Sequence, residues 1–406
     1  MRIAIVSDLH IGYERFYEDA YTQAKEALNA ASELADAIIM PGDIFDRRNP
    51  HPDAIGQAIN LFREISRKGW KAKVVEFSPY TDTRSFTTVP VIAIPGTHER
   101  VAEGKENPLG LLGLAGLLVD ASESMVTIEK GGERVSVFGL GGLSEERVKP
   151  TLAELDPKPV QGNFNIFMFH QSIYELLPFS DDFIRFDDLP EGFDLYADGH
   201  IHNRIVGQVR GKPFLIPGST VLTQLKEGEQ EPKGFFIYDT KSNTYEFNEI
   251  RSRPFSFVRM RMDDATPKGL QQKCEEAIVS AIRSSKEKPI VKLFVEGTIA
   301  DGFKSFDMNL RPLQQRYSQD AYMEVDMRLA DRSLEEGLGA VREGRLDGVS
   351  VKDLGMGIFS AKLAESGFDR SVNVAELFDA LSMQKKEKAL SEASALFEDS
   401  ARSSGG

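Results

Sequence analysis

Five of the six histidines in this sequence share one setting: each lies at or just past the end of an apolar run, beside a glycine or a carboxylate. IAIV leads into Asp8-Leu9-His10, and AIIMP into Gly42-Asp43 with Asp46 three residues on. VIAIP leads into Gly96-Thr97-His98-Glu99, NIFMF into His170-Gln171, and DLYAD into Gly199-His200-Ile201-His202. Imidazoles and carboxylates without thiolates suit a borderline or hard divalent ion such as manganese, iron or zinc. Cys274 is the only cysteine, which excludes a thiolate cluster and an internal disulfide framework. The candidates exceed what one ion needs. Two ions about 3.5–4 Å apart, bridged by a carboxylate, would use them fully, and such a pair suits phosphate-ester hydrolysis. Any one of these motifs is commonplace; all five in this order, each closing a strand, are not. His51, the sixth histidine, lies in NPHPD before a helical pattern and reads as a loop residue.

The elements that must carry these residues follow from periodicity. Over the first 250 residues short apolar runs alternate with helical patterns at about 18–34, 53–68 and 108–118, as in an α/β sheet with covered faces. Beyond residue 130, RVSVFGL, NFNIFMF, FDLYA, KPFLIP, GFFIYD and TYEFNEI read as closely connected strands. A second sheet packed on the first, an α/β sandwich, accommodates both halves. Functional groups in such sheets gather outside the carboxyl ends of the strands. The glycines before Asp43, Thr97 and His200 let the backbone turn sharply there.

The expected organisation is a main domain over 1–252, a small α+β domain over 253–335, a flexible linker over 336–371, a helical segment over 372–399 and a disordered tail over 400–406. Thr266 followed by Pro267 marks a helix start in the small domain. In the C-terminal segment Val374, Leu377, Phe378 and Leu381 fall on one helical face. No internal repeat is visible. Hydrophobic residues make up 41% and charged residues 28%, enough apolar mass for sizeable cores. No apolar run approaches the roughly 18–20 residues of a membrane span, and the opening segment does not read as a signal peptide, so a cytoplasmic protein is expected. The net charge of −14 argues against a broad basic face for nucleic acid.

Taken together, Asp8-x-His10, Gly42-Asp43, Gly96-x-His98-Glu99, His170 and Gly199-His200-Ile201-His202 resemble the calcineurin-like metallophosphoesterase signature. The surrounding segments SDLHIGYE, PGDIFD and DDLPEGFDLYADGHIHNR, with Pro217-Gly218-Ser219 and Arg253-Pro254-Phe255, narrow the likeness. Over roughly residues 1–260 the chain is similar to the meiotic-recombination-eleven family of DNA double-strand-break repair nucleases, whose bacterial counterpart is SbcD. The resemblance implies one metal held by Asp8, His10 and His202, a second held by His170 and His200, and Asp43 bridging both, with manganese the leading choice. It makes His98 a catalytic residue that stabilises the transition state or protonates the leaving oxygen. Two positions depart from the pattern. Thr97 stands where the family has a metal-binding asparagine, which would weaken the second site. Asp46 stands at a substrate-contacting position where some members carry a histidine.

The resemblance further implies a 3′-to-5′ exonuclease and single-strand endonuclease acting on DNA ends, in which the small domain caps the cleft and positions DNA. It implies a homodimer through helices bearing Ile55, Ile59 and Phe62 and, on the second helix, Leu112; packing of these stripes on the sheet is the other reading. It names an SMC-like coiled-coil ATPase of the SbcC type as the partner of the helix bearing Val374, Leu377, Phe378 and Leu381. A prokaryotic, archaeal and nucleoid-associated protein is expected. Two rival readings remain: a phosphoesterase for a small substrate, and a nuclease-impaired scaffold that bridges ATPase subunits.

Overall fold

The structure is a computed structural model and describes residues 1–68, 71–78, 90–100, 106–331, 355–357 and 359–360. Val374, Leu377, Phe378 and Leu381, and almost all of the expected linker, lie outside the described residues. The chain divides into two compact units. The first comprises Met1–Phe257 with Ser284–Lys292; the second comprises Val258–Arg283 and the described residues from Leu293 onward.

Two sheets form the first unit. The strand Arg2–Ile5 lies inside a six-stranded sheet ordered Thr244–Glu249, Gly234–Asp239, Arg2–Ile5, Ala37–Pro41, Val91–Ile94, Val119–Asp120. Its last four strands are parallel, with Ile3 opposite Ala37 and Ile38 opposite Val91. The second sheet has seven strands: Ile205–Val209, Lys212–Ile216, Leu195–Asp198, Phe164–Phe169, Glu133–Leu140, Ser124–Lys130 and Lys73–Ser78. Its central four are parallel as well.

Side chains alternate across a strand, and the core follows that rule. Ile3, Ile5, Ile39, Ile92 and Ile94 of the first sheet pack against Val135, Val137, Ile166, Met168 and Leu195 of the second. The intervening Ala4, Val6, Ile38, Met40 and Ala93 face outward, onto the helices Tyr17–Leu34, Pro52–Ser66 and Pro108–Leu114. On the far side, Phe167, Phe169, Phe214 and Ile216 pack with Val148 and Leu152 of the helix Glu145–Leu155. The result is the four-layered α/β sandwich expected from the alternation.

Local signals set the helix ends. Asn107 caps Pro108–Leu114 by accepting from Gly110 N at 2.7 Å. This helix stops four residues short of the expected 118, where Gly116 takes φ +71°. His51 is not a plain loop residue. Its Nδ1 accepts from Asp53 N at 3.4 Å, and it caps Pro52–Ser66. In the second unit, Thr266 Oγ1 accepts from Gly269 N at 3.1 Å at the start of Pro267–Ser284. Strands Phe255–Ala265, Ile290–Ile299 and Tyr322–Asp331 form a three-stranded sheet.

One expectation about surfaces is corrected. Phe62 is 0% exposed and Leu112 1% exposed, both within the core under their helices. They are unavailable to a second subunit, and Ile55 and Ile59 are only partly buried against that core. A stripe at i, i+3, i+4 marks the face a helix buries. Here that face meets the chain's own sheet, and the apolar residues left outside are Leu111 (47%) and Leu114 (67%).

Candidate metal centre

All five motif segments meet at the carboxyl ends of the parallel strands. Asp8 N donates to Gly42 O at 3.2 Å and His10 N to Asp43 O at 3.1 Å, so the loops after the first two strands run side by side. Asp8, His10, Asp43 and His200 adopt φ of +53°, +47°, +51° and +70°. Residues other than glycine seldom enter this region, and its strain is typical of functional sites. Gly199 is required by space: a Cβ there would lie 2.6 Å from Ser7 Oγ and 2.7 Å from His170 Nδ1.

Two groups of donor atoms result. In the first, His10 Nε2 lies 3.1 Å from His202 Nε2, and Asp8 Oδ1 lies 3.9 and 3.7 Å from those two nitrogens. In the second, Thr97 Oγ1 lies 3.1 Å from His170 Nε2 and 3.2 Å from His200 Nδ1. Asp43 joins this group with Oδ2 3.3 Å from His170 Nε2, while its Oδ1 accepts from His98 N at 2.9 Å. Asp8, His10, Asp43 and His170 are at most 1% exposed. Four imidazole nitrogens turned toward one another, with two buried carboxylates beside them, make a compact set of nitrogen and oxygen donors of the kind that holds divalent cations. The donor set therefore fits divalent metal ions.

Electrostatics agree. Burial raises Asp8 to about 6. Burial opposes charge on His170 too, but the Asp43 carboxylate overrides it and holds the imidazole up at about 10. For Asp43, burial is likewise overcome, by His170 and the other imidazoles, and its carboxyl stays well below the usual range. Burial and the charge of His170 push His200 down to about 4; burial and His10 push His202 well below its ordinary value. The site thus holds imidazoles in both states, and ligation favours the neutral one.

Each ring is fixed from behind. His170 Nδ1 donates to Pro41 O at 2.7 Å, His200 Nε2 meets Ser172 Oγ at 2.9 Å, and His202 Nδ1 makes a short contact with Thr223 Oγ1. Glu99 is fully buried and accepts from Phe45 N (2.9 Å) and Gly96 N (2.8 Å), tying two of the loops together. Burial raises its carboxyl to about 8. Sequence reasoning missed these supporting groups. Glu99 stands within its motif but sequence alone assigns it no role, whereas Thr223 is 21 positions from His202 and no spacing rule points to it.

His98 is more exposed than the candidate ligands. Its Nδ1 donates to Asp46 O at 2.5 Å, and its ring meets that of His10 edge-on at 5.0 Å. Asp46 Oδ1 lies 3.3 Å from His10 Nδ1, so part of this carboxylate faces the cluster. A cavity of about 500 Å³ beside His98 is bordered by Asp46, Arg47, Arg48 and Thr97. Another, of about 290 Å³, touches Thr97, Arg100, Ser144, Gln171, Ser172 and His200. His51 is exposed on its own helix and takes no part in the cluster.

Among known proteins, this chain is 28% identical over 315 residues to the double-strand break repair protein MRE11 of Encephalitozoon cuniculi, covering 71% of this chain and 54% of that protein. It is 27% identical to the DNA double-strand break repair protein Mre11 of Methanopyrus kandleri, covering 64% and 59%, and 25% identical to that of Methanocaldococcus jannaschii, covering 72% and 75%. The chain thus spans little more than half the length of the first two relatives. Residues 1–204 match the calcineurin-like phosphoesterase model, a stretch that begins with the first strand and takes in every motif of the cluster, from Asp8 to His202. This chain belongs to the calcineurin-like phosphoesterase family.

Proposed function

We propose that this chain is the nuclease subunit of a double-strand-break repair complex and hydrolyses DNA phosphodiester bonds with two divalent ions, manganese foremost. The observation that carries this reading is the pair of adjoining donor groups, Asp8–His10–His202 and Thr97–His170–His200, with Asp43 beside them. Asp8, His10 and His202 would hold one ion and His170 and His200 the other, with Asp43 shared. Thr97 would contribute its hydroxyl to the second ion, directly or through water. When bound, the ions acidify a water for attack on phosphorus and neutralise charge on the attacking and leaving oxygens.

The protein's own groups do the rest. Because His98 Nδ1 already donates to a carbonyl, its Nε2 is the ring atom left for a leaving oxygen, and a protonated ring can supply the proton. Arg48 borders the cavity beside His98 and brings positive charge to a phosphate there, against the −14 of the whole chain, while its neighbour Arg47 pairs with Glu14 at 2.7 Å. DNA is favoured as substrate by the double-strand-break repair relatives. From the motif resemblance alone, the proposed role extends to action on DNA ends by 3′-to-5′ exonuclease and single-strand endonuclease activity. From that resemblance alone it also includes partnership with an SMC-like ATPase through residues 372–399 and a place in the cytoplasm at the nucleoid. A homodimer would use the helix face that exposes Leu111 and Leu114.

The test is His98→Ala in manganese. Cleavage of linear DNA should fall about 10²- to 10⁴-fold, the usual worth of a positioned proton donor, while metal content stays unchanged. Loss of metal from this variant would contradict the role given to His98. Hydrolysis of p-nitrophenyl phosphate by the wild-type chain, with none of DNA even beside the ATPase, would favour the small-substrate reading.

A further inference from the structure

Glu229 and Lys233 are 3% and 4% exposed, in a chain segment that supplies no candidate ligand. Their ion pair measures 3.3 Å. Burying two charges costs more solvation than such a pair usually returns, so a pair of this kind is poor evidence of a merely stabilising role. What the two groups touch is specific. Lys233 Nζ donates to His202 O at 3.0 Å and to Ser219 Oγ at 3.1 Å. Glu229 accepts from Thr223 N at 3.2 Å and from Gln224 N at 2.9 Å. Thr223 Oγ1 in turn meets His202 Nδ1, and Tyr13 OH donates to Thr223 O at 2.8 Å.

We propose that Thr223, Glu229 and Lys233 form a positioning device for His202: the buried ion pair holds the backbone of His202 on one side and the loop bearing Thr223 on the other, so that Thr223 Oγ1 fixes the imidazole with Nε2 toward Asp8 and His10. For Nε2 to serve as the ligand atom, the ring proton would have to sit on Nδ1, where Thr223 Oγ1 is placed to accept it. Lys233 sets the height of the ring through His202 O, and Thr223 sets its rotation. His202 belongs to the first donor group, whereas His170 and His200 of the second rest on Pro41 O and Ser172. The device therefore acts on one ion of the two. This inference rests on the metal reading proposed above.

The experiment is a manganese titration of the full chain, followed by electron paramagnetic resonance of the free ion. Thr223→Val removes one hydroxyl and keeps the shape. The paired Glu229→Gln/Lys233→Met variant removes both charges together and avoids an uncompensated buried ion. The wild type should bind two ions. Each variant should keep one and bind the other about 10- to 100-fold more weakly, the usual effect of losing a group that orients a metal-bound histidine. Thr223→Ser should recover the wild-type titration. Two ions at wild-type affinity in folded Thr223→Val, or equal weakening of both, would overturn the proposal. A wild type that binds no manganese would overturn the metal reading and this inference with it.

Discussion

Thr97→Val is the sharpest probe of the second metal position, because it deletes one oxygen and keeps the β-branched outline. In the metal-free site that oxygen relays between two rings. His170, held up at about 10 by the Asp43 carboxylate, has its Nε2 3.1 Å from Thr97 Oγ1 and 3.3 Å from Asp43 Oδ2, so the hydroxyl shares that ring proton with the carboxylate. His200 is held neutral, down to about 4, so its Nδ1 accepts from the same hydroxyl at 3.2 Å. Each bond contributes about 0.5–1.5 kcal/mol, and valine should destabilise the metal-free protein by about 1–3 kcal/mol. With an ion in place both nitrogens turn to it, and the hydroxyl becomes a donor, directly or through water. Its loss should weaken that one ion about tenfold, or about 1.4 kcal/mol, and leave the other untouched. Thr97→Asn, which offers an amide oxygen, should shift the same ion the opposite way. Manganese titration at pH 7.5, beside urea unfolding of the metal-free protein, reads both quantities. If the valine variant loses stability but binds two ions at wild-type affinity, the hydroxyl is outside the donor set and asparagine has nothing to restore.

Two further outcomes test the scaffold and its surface. Asp36 accepts from Lys130 Nζ at 2.7 Å and from Arg2 N at 2.9 Å, and these bonds outweigh its burial and lower its pKa. A lowered carboxyl contributes stability above its unfolded value of about 3.9, and that contribution fades as pH falls through the folded value. Asp36→Asn should therefore cost of order 1 kcal/mol at pH 7 and progressively less as pH falls below about 4, by urea unfolding; a cost that does not shrink with falling pH would refute the linkage. Leu111→Glu with Leu114→Glu should shift sedimentation toward a monomer with no change in melting temperature. A wild type that already sediments as a monomer would remove the case for that face.

The ordering of His10 and His170 toward their carboxylates shows how far the sequence reaches. Each candidate ligand was legible because metal chemistry limits the residue types, and because period-2 apolar runs mark where strands end. The same periodicity gave the two-sheet sandwich. Phe62 and Leu112 show the limit of pattern: an apolar stripe marks a face that is buried but not what buries it, and here the chain's own sheet does. The strand Lys73–Ser78 was also missed, since an edge strand with few inward residues carries a weak alternation signal.

What the sequence determined by itself is the chemistry: which side chains could hold hard divalent ions, and at which strand ends. Only the tertiary structure decided their assortment, with His202 facing His10 across 192 positions and Thr97 facing His170 and His200. It alone also disclosed the groups behind them. Thr223, Glu229 and Lys233 act through hydrogen bonds to atoms that any residue possesses or that many side chains could meet, and such contacts leave no periodic trace. Ligand identity is a property of residue type and so can be read along a chain. Orientation depends on distances between segments, and those exist only once the sheets have packed.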